Sequence, residues 1–339
     1  MSKGWSQPSP LSVAAETQLK TKQPPEGQNQ RTAPQYLLLL SLACLMFGSQ
    51  GIFIKYLGKQ LRPIQLTFLP FCTATLLLIP ALVLHRGRNG ARPLTIADWR
   101  AFIVAGIAGQ VVTQLCTVWG ITLSLVSNAA IIGLLFPIVS SLLGAWMLKE
   151  RLTGLHIVTL AIGLTGASLL SLQSLREASL TNSHYLAGNL LILVGQVASA
   201  YYNAYCKGLF SRFAQIEVLV FSYITGSLAS IPLFIWVDPL NIHIFSAFTL
   251  QSWLAYGYQT LVTYGGAMLI FFVALRHLPM TTVSALLYLI PLFAVVLGVS
   301  VLGERLSPWA LCGAALILIS NLSFVKRTSI VGSKPSEGD

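Results

Sequence analysis

Ten stretches of this chain are apolar over about 20 residues each, and the charged residues stand between them or near their ends. A helix needs about 20 mostly apolar residues to cross the hydrocarbon of a bilayer. Inside lipid, each backbone N–H and C=O must find its partner within the protein, which leaves helices and closed barrels as the spanning structures. The stretches 36–57, 63–85, 98–119, 125–148, 154–172, 185–208, 216–237, 251–275, 279–302 and 308–325 therefore predict ten transmembrane helices. Composition enters here as a check. Charged residues are only 9% of the chain and apolar ones 55%, with a mean hydropathy of +0.72. A soluble surface draws on roughly a quarter charged residues, so most of this chain must face lipid. The expected class is an all-α polytopic membrane protein.

The net charge is +11, from 21 Lys plus Arg against 10 Asp plus Glu. A nucleic-acid surface would cluster these bases on one soluble face; here they occupy short loops and the tails. With both termini placed in the cytoplasm, 16 Lys and Arg fall inside, among them Arg86, Arg88, Arg100, Lys149, Arg151, Lys207 and Arg276, while 5 fall outside, Lys55, Lys59, Arg62, Arg176 and Arg305. The inside excess favours an even number of spans with N- and C-termini cytoplasmic, in the plasma (inner) membrane. Residues 1–35 are rich in Pro, Gln, Ser and Lys and read as a disordered cytoplasmic tail. Residues 326–339 form a second cytoplasmic tail.

Two segments repeat each other 154 residues apart. Pro137, Gly144 and Glu150-Arg151-Leu152 match Pro291, Gly298 and Glu304-Arg305-Leu306, and Lys149 is replaced by Gly303. At an offset of 152, Lys55 falls on Lys207, Gln65 on Glu217 and Pro80 on Pro232. Two five-helix units follow, at 36–172 and 185–325. Five is odd, so the copies cross the membrane in opposite senses. Inverted repeats about a pseudo-twofold axis in the membrane plane are the architecture of many secondary transporters, with the substrate site at the repeat junction.

The acidic residues between positions 36 and 325 are Asp98, Glu150, Glu177, Glu217, Asp238 and Glu304, all at helix ends or in loops. A carboxylate at the bilayer centre costs about 2.5–3.5 kcal/mol or more and is kept mainly for function; none is placed there. Proton coupling, if used, would work from a helix end, with Glu150 and Glu304 as candidates, and each also reads as the pin of its own turn. Uncharged polar groups do lie within spans. Gln110, Thr113, Gln114 and Thr117 share one face of the third helix, and a polar stripe there must meet protein or water. The eighth carries Tyr256, Gln259, Thr263 and Tyr264, the sixth Tyr202 and Asn203, the first Gln50 and the ninth Tyr288. The repeat places Gln50 on Tyr202 and Gln110 on Tyr264. Gln50, Gln110, Gln114, Tyr202, Gln259, Tyr264 and Tyr288 are therefore the candidate substrate-binding residues. Pro137 and Pro291 sit mid-helix and should free the carbonyls of Gly133 and Leu287. Together with Lys55, Lys207, Glu150 and Glu304 they are candidate gating or structural positions. No catalytic constellation and no metal-ligand spacing occurs, so neither an enzyme nor a cofactor is expected.

These features resemble the drug/metabolite transporter superfamily and its ten-helix EamA-type members. The resemblance rests on Phe47-Gly48-Ser49 leading to Lys55, on Asn128, Pro137, Gly144 and Glu150, and on Pro291, Gly298 and Gly303-Glu304-Arg305-Leu306. It implies a basket of inverted repeats with a central cavity lined mainly by helices 1, 3, 4, 6, 8 and 9. The expected function is a secondary carrier that moves a small polar, amino-acid-like metabolite outward by alternating access. A non-transporting membrane sensor and an intramembrane enzyme are the alternatives. The expected partners are a small-molecule substrate, the lipid bilayer, a coupling proton or counter-substrate, and a second copy of the chain in a homodimer. Nucleic acid is not among them.

Overall fold

The computed structural model describes residues 34–90, 93–124, 126–171, 183–239, 242–302 and 308–331. The tail before Pro34, Glu304 with its Gly303–Leu306 turn, and the Lys55 side chain lie outside the described residues. The protein is a bundle of ten helical spans, and no strand occurs among the described residues. The first repeat comprises α1 (Pro34–Leu57), α2 (Pro63–Arg88), α3 (Ile96–Thr122), a divided α4 and α5 (Gly154–Leu170). The two parts of α4 are α4a (Val126–Gly133) and α4b (Phe136–Met147). The second comprises α6 (Ser183–Leu209), α7 (Gln215–Val237), α8 (Leu250–His277), a divided α9 and α10 (Pro308–Val331). The parts of α9 are α9a (Met280–Leu286) and α9b (Leu289–Leu302).

The acidic residues start, end and tie helices. Thr95 and Asp98 form a reciprocal cap at the start of α3, with N–H to side-chain oxygen distances of 3.0 and 3.2 Å. Asp98 also receives Arg212 at 2.6 Å. Glu217 accepts the Ala214 N–H at the start of α7 and pairs with Arg86 at 2.8 Å. At the other end of the same helix pair, Asp238 accepts from Gln65 at 3.1 Å and from Arg62 at 3.4 Å. The repeat maps Gln65 onto Glu217 and Arg86 onto Asp238. One tie therefore occurs twice, at opposite ends of α2 and α7, with Asp238 standing where the other copy has Arg86 and the neutral Gln65 where it has Glu217. Midway, Thr75 and Ser227, which are also equivalent, meet at 3.0 Å.

The packing follows the same twofold exchange. α1 packs on α8 and α9b, as α6 packs on α3 and α4b. α3 contacts α7 as α8 contacts α2, while α2 with α7 and α5 with α10 pair across the axis. Two features deepen the symmetry. α3 widens to a π-helix over Ala105–Val111 and α8 over Tyr258–Ala267, which the 154-residue offset superposes. α4 and α9 are interrupted at Leu134–Leu135 and at Leu287–Tyr288, just before the equivalent Pro137 and Pro291. Proline cannot donate its missing N–H and crowds the preceding turn, which places the breaks there. The tight turn is closed by 3₁₀-type bonds, Leu134 N–H to Ile131 O at 3.1 Å and Ile290 N–H to Leu287 O at 3.0 Å. The Leu287 carbonyl is thus engaged rather than free. Fully buried Phe68, Phe71, Phe102, Phe272, Tyr223 and Tyr288 fill the core, whereas exposed Leu38, Leu76, Trp146 and Trp236 form the lipid-facing exterior.

Candidate substrate cavity

The two repeats enclose a central cavity of about 220 Å³. α1 supplies Phe47 and Gln50, α3 supplies Gly109, Gln110, Thr113 and Gln114, and α4b supplies Phe136. From the second repeat come Ser199, Tyr202 and Asn203 on α6, Tyr223 on α7, Thr263, Tyr264, Met268 and Phe271 on α8, and Leu287 and Ile290 at the α9 break. The π-helical segments of α3 and α8 open onto this space. Such segments misalign the backbone ladder and recur at functional sites. Here the wide turn of α8 exposes the Tyr264 carbonyl, which Tyr223 Oη caps at 3.1 Å. Gln114 donates to Tyr264 Oη at 3.5 Å, and Tyr202 Oη meets Ser222 at 3.0 Å. Gly109 lies so close to the Tyr202 ring that a Cβ there would overlap it.

A second chamber of about 380 Å³ shares Gln50, Gln114 and Tyr264 with the first and continues past Ile54, Leu66, Thr117 and Gln259. A third of about 260 Å³ shares Pro63, Val118 and Thr122 with the second and ends at Arg62, Trp119 and Asp238. The chambers thus adjoin one another in a row from the middle of the bundle toward the face where α1 ends, α2 begins and α3 ends.

The opposite face is closed. Glu150, in the turn between α4b and α5, accepts Lys207 Nζ at 2.8 Å and the N–H groups of Met280 and Thr281 at 2.7 and 3.0 Å. Lys207 also donates to the Leu278 carbonyl. One carboxylate therefore ties the α4–α5 turn to the end of α6 and to the start of α9a, where the helix dipole favours an anion. Burial opposes ionisation of Glu150, but the Lys207 charge and the two N–H donors outweigh it and hold the carboxyl below its ordinary range. Lys149 adopts a left-handed backbone, φ 55°, to aim Glu150 inward. Gly144 beneath the turn leaves room for Met280 and Glu150.

The structure brings Gln50, Gln110, Gln114, Tyr202 and Tyr264 together in the central cavity and puts Gln259 in the outer chamber. Tyr288 lines neither chamber. Its hydroxyl donates to the Leu134 carbonyl at 3.3 Å and its ring covers Gly163, so its polar atom closes the break in α4 instead. Residues that sequence reasoning passed over are Tyr223 and the apolar Phe47, Phe136, Met268 and Phe271. A Phe in a span has no distinguishing mark. Tyr223 did have one, because the repeat sets it against Phe71, whose ring centroid lies 4.6 Å away.

A ten-helix membrane bundle with internal twofold repetition and a row of chambers from its centre toward one face belongs to the class of membrane carriers. The model of the EamA-like transporter family matches this chain twice, over residues 35–172 and 186–325, and the chain belongs to that family. It is 25% identical over 248 residues to a "Probable terminal-alkyne amino-acid exporter" of Streptantibioticus cattleyicolor, covering 73% of this chain and 80% of that protein. It is 21% identical over 290 residues to an "S-adenosylmethionine uptake transporter" of Rickettsia conorii, covering 84% and 90%. A solved crystal structure superposes with a TM-score of 0.75 at 19% identity, covering 88% of this chain and 99% of that one. The protein is an integral, multi-pass membrane transporter.

Proposed function

We propose that this transporter is a secondary carrier that exports a small polar, amino-acid-like metabolite by alternating access. The observation that carries this reading is a chamber at the junction of the repeats that adjoins others in a row toward one face and is sealed from the other by Glu150 and Lys207. Both termini are assigned to the cytoplasm, because Arg86, Arg88, Lys149, Arg151 and Arg276 cluster on the sealed side. On this assignment the arrangement is outward-open. The cycle closes the outer mouth and releases Glu150 from α9a, exposing the same chamber to the inside. The likeness to a named amino-acid exporter supports both the direction and the substrate class. A proton or a counter-moving solute supplies the driving force.

The test is flux. Purified protein in liposomes is expected to move labelled amino-acid-like solutes under a proton gradient or by exchange, and Gln114→Leu is expected to lower that flux without impairing folding. Failure of every solute in a broad metabolite panel, under every gradient, would sink the carrier reading. Flux unchanged in Gln114→Leu would remove that residue from the path.

A further inference from the structure

The cavity is divided by depth, and the division names a kind of ligand. α1 runs from the sealed face toward the open one, so Phe47 lies about 4.5 Å deeper than Gln50 at 1.5 Å per residue. α8 runs the other way, so Met268 and Phe271 lie deeper than Thr263 and Tyr264. Phe47 and Phe271 meet edge to face with ring centroids 6.1 Å apart. With Phe136, Leu287 and Ile290 they make an apolar floor. Above it stands a collar of amides and hydroxyls, chiefly Gln50, Gln114 and Thr263, while Asn203 lies lower, toward Lys207.

The collar holds polar groups with nothing to bond. Thr263 is 3% exposed and its hydroxyl has no hydrogen bond among the described residues. The Thr113 hydroxyl, which lines the same cavity, and the Gln259 side-chain oxygen in the outer chamber likewise have no hydrogen bond among the described residues. A buried polar atom left unpaired costs about 1–3 kcal/mol, which a ligand with matching donors and acceptors recovers. The collar also lacks any Asp, Glu, Lys, Arg or His among its described residues. Bringing a full charge into such a space costs far more than bringing in an amide or hydroxyl.

We infer that the cavity takes an amphiphile without full charges, its apolar body seated on the Phe47–Phe271 floor and its amide-, lactam- or hydroxyl-type head held in the collar. This rests on the carrier reading for its site, and it narrows the amino-acid-like class to uncharged heads.

A matched phenyl series tests it on the purified full-length protein, by thermal shift in detergent and by counterflow in liposomes. 2-Phenylacetamide is expected to stabilise the protein and to drive counterflow. Acetamide, phenylacetate, phenethylamine and phenylalanine are each expected to act at least about tenfold more weakly, the discrimination expected of a site built for one set of hydrogen bonds. Gln114→Leu and Phe271→Ala should each weaken the phenylacetamide response by about tenfold, while Gln114→Asn and Phe271→Leu, which keep the chemistry, retain most of it. A response to phenylalanine or phenylacetate as strong as that to phenylacetamide overturns the uncharged head. A response to acetamide of equal strength overturns the apolar floor. Binding of phenylacetamide without counterflow upholds the inference and overturns the carrier reading. Counterflow of other solutes with no response to the series does the reverse.

Discussion

The two faces of this molecule are made from equivalent parts held in different arrangements. On the sealed face α9a packs against α4b, and Glu150 gathers Lys207 and two α9a N–H groups. On the open face the equivalent helices α4a and α9b make no contact of that extent among the described residues. There α4a is held to α6 instead. Asn189 Oδ1 accepts from Ser124 at 2.6 Å and from Asn128 at 3.0 Å, and Asn128 also donates to Ser124 at 3.0 Å. The difference lies in which neighbour each half-helix chooses. An interruption in the middle of α4 and α9 lets one half change partner while the other stays packed. On the proposed alternating-access cycle the two arrangements lie close in energy, and side chains that differ between the repeats set the bias.

Removing the seal should produce the largest change. Glu150→Gln keeps the shape but leaves Lys207 with no counter-charge in a half-buried site. Breaking one partner of a fully buried pair costs roughly 3–5 kcal/mol; partial solvent access reduces that here to about 2–3 kcal/mol. The expected readout is faster hydrogen exchange at the amides of Met280 and Thr281, with exchange on α4a unchanged. Unaltered exchange at those two amides would mean that the carboxylate does not hold the face shut. The pH dependence has a definite sign. The folded-state carboxyl titrates below its ordinary value, so the tie is at full strength above about pH 4.3 and weakens as pH falls through the lowered value. Between about pH 6 and 8 the exchange rates at Met280 and Thr281 should track only their intrinsic chemistry.

The open face is tested at Asn128, which is fully buried. Asn128→Leu removes the amide that ties α4a to Asn189 and Ser124 and leaves Asn189 Oδ1 with one donor fewer. About 2 kcal/mol of the α4a–α6 attachment should go. In paired thermal melts and exchange maps, protection should fall in α4a and at the start of α6, while Met280 and Thr281 keep theirs. Loss of protection on both faces together would show that they do not move independently.

Tyr288 stands between the faces, bridging the two interruptions. Tyr288→Phe deletes only the hydroxyl that reaches the Leu134 carbonyl. The expected cost is about 1 kcal/mol in unfolding free energy, with substrate affinity unchanged. A drop in affinity with stability intact would return Tyr288 to the binding site.

The ten spans, the repeat and the polar cavity stripe were legible because lipid imposes them. Apolar length, charge at helix ends and equivalent residues 152 or 154 positions apart are direct consequences of spanning twice with one unit. Gln50, Gln110 and Gln114 stood out for the same reason: an amide in a span has to be explained. Tyr288 stood out equally, but a local break supplies the carbonyl that its hydroxyl meets, and no pattern of residue types announces that. The π-helical segments were invisible. No residue type marks them, and only the register of neighbouring helices decides where a turn widens. The pairing of Glu150 with Lys207 was hidden by distance along the chain, although both had been singled out separately through the repeat.

The smallest expected effect concerns Lys149, where the repeats differ in one residue. Lys149 holds φ at 55°, a left-handed backbone that disfavours side chains with a Cβ by roughly 1–2 kcal/mol. The second repeat places Gly303 at the equivalent position, where glycine meets no such penalty. Lys149→Gly should therefore relax the turn that carries Glu150. Glycine also gains more freedom in the unfolded chain, so the net stabilisation should be under about 1 kcal/mol. A small rise in melting temperature, with Met280 and Thr281 protected at least as well as before, is the expected result. A fall in stability would mean that the Lys149 side chain contributes more to the seal than its backbone costs. In that event the bias between the two faces would rest on this lysine as well as on Glu150 and Lys207.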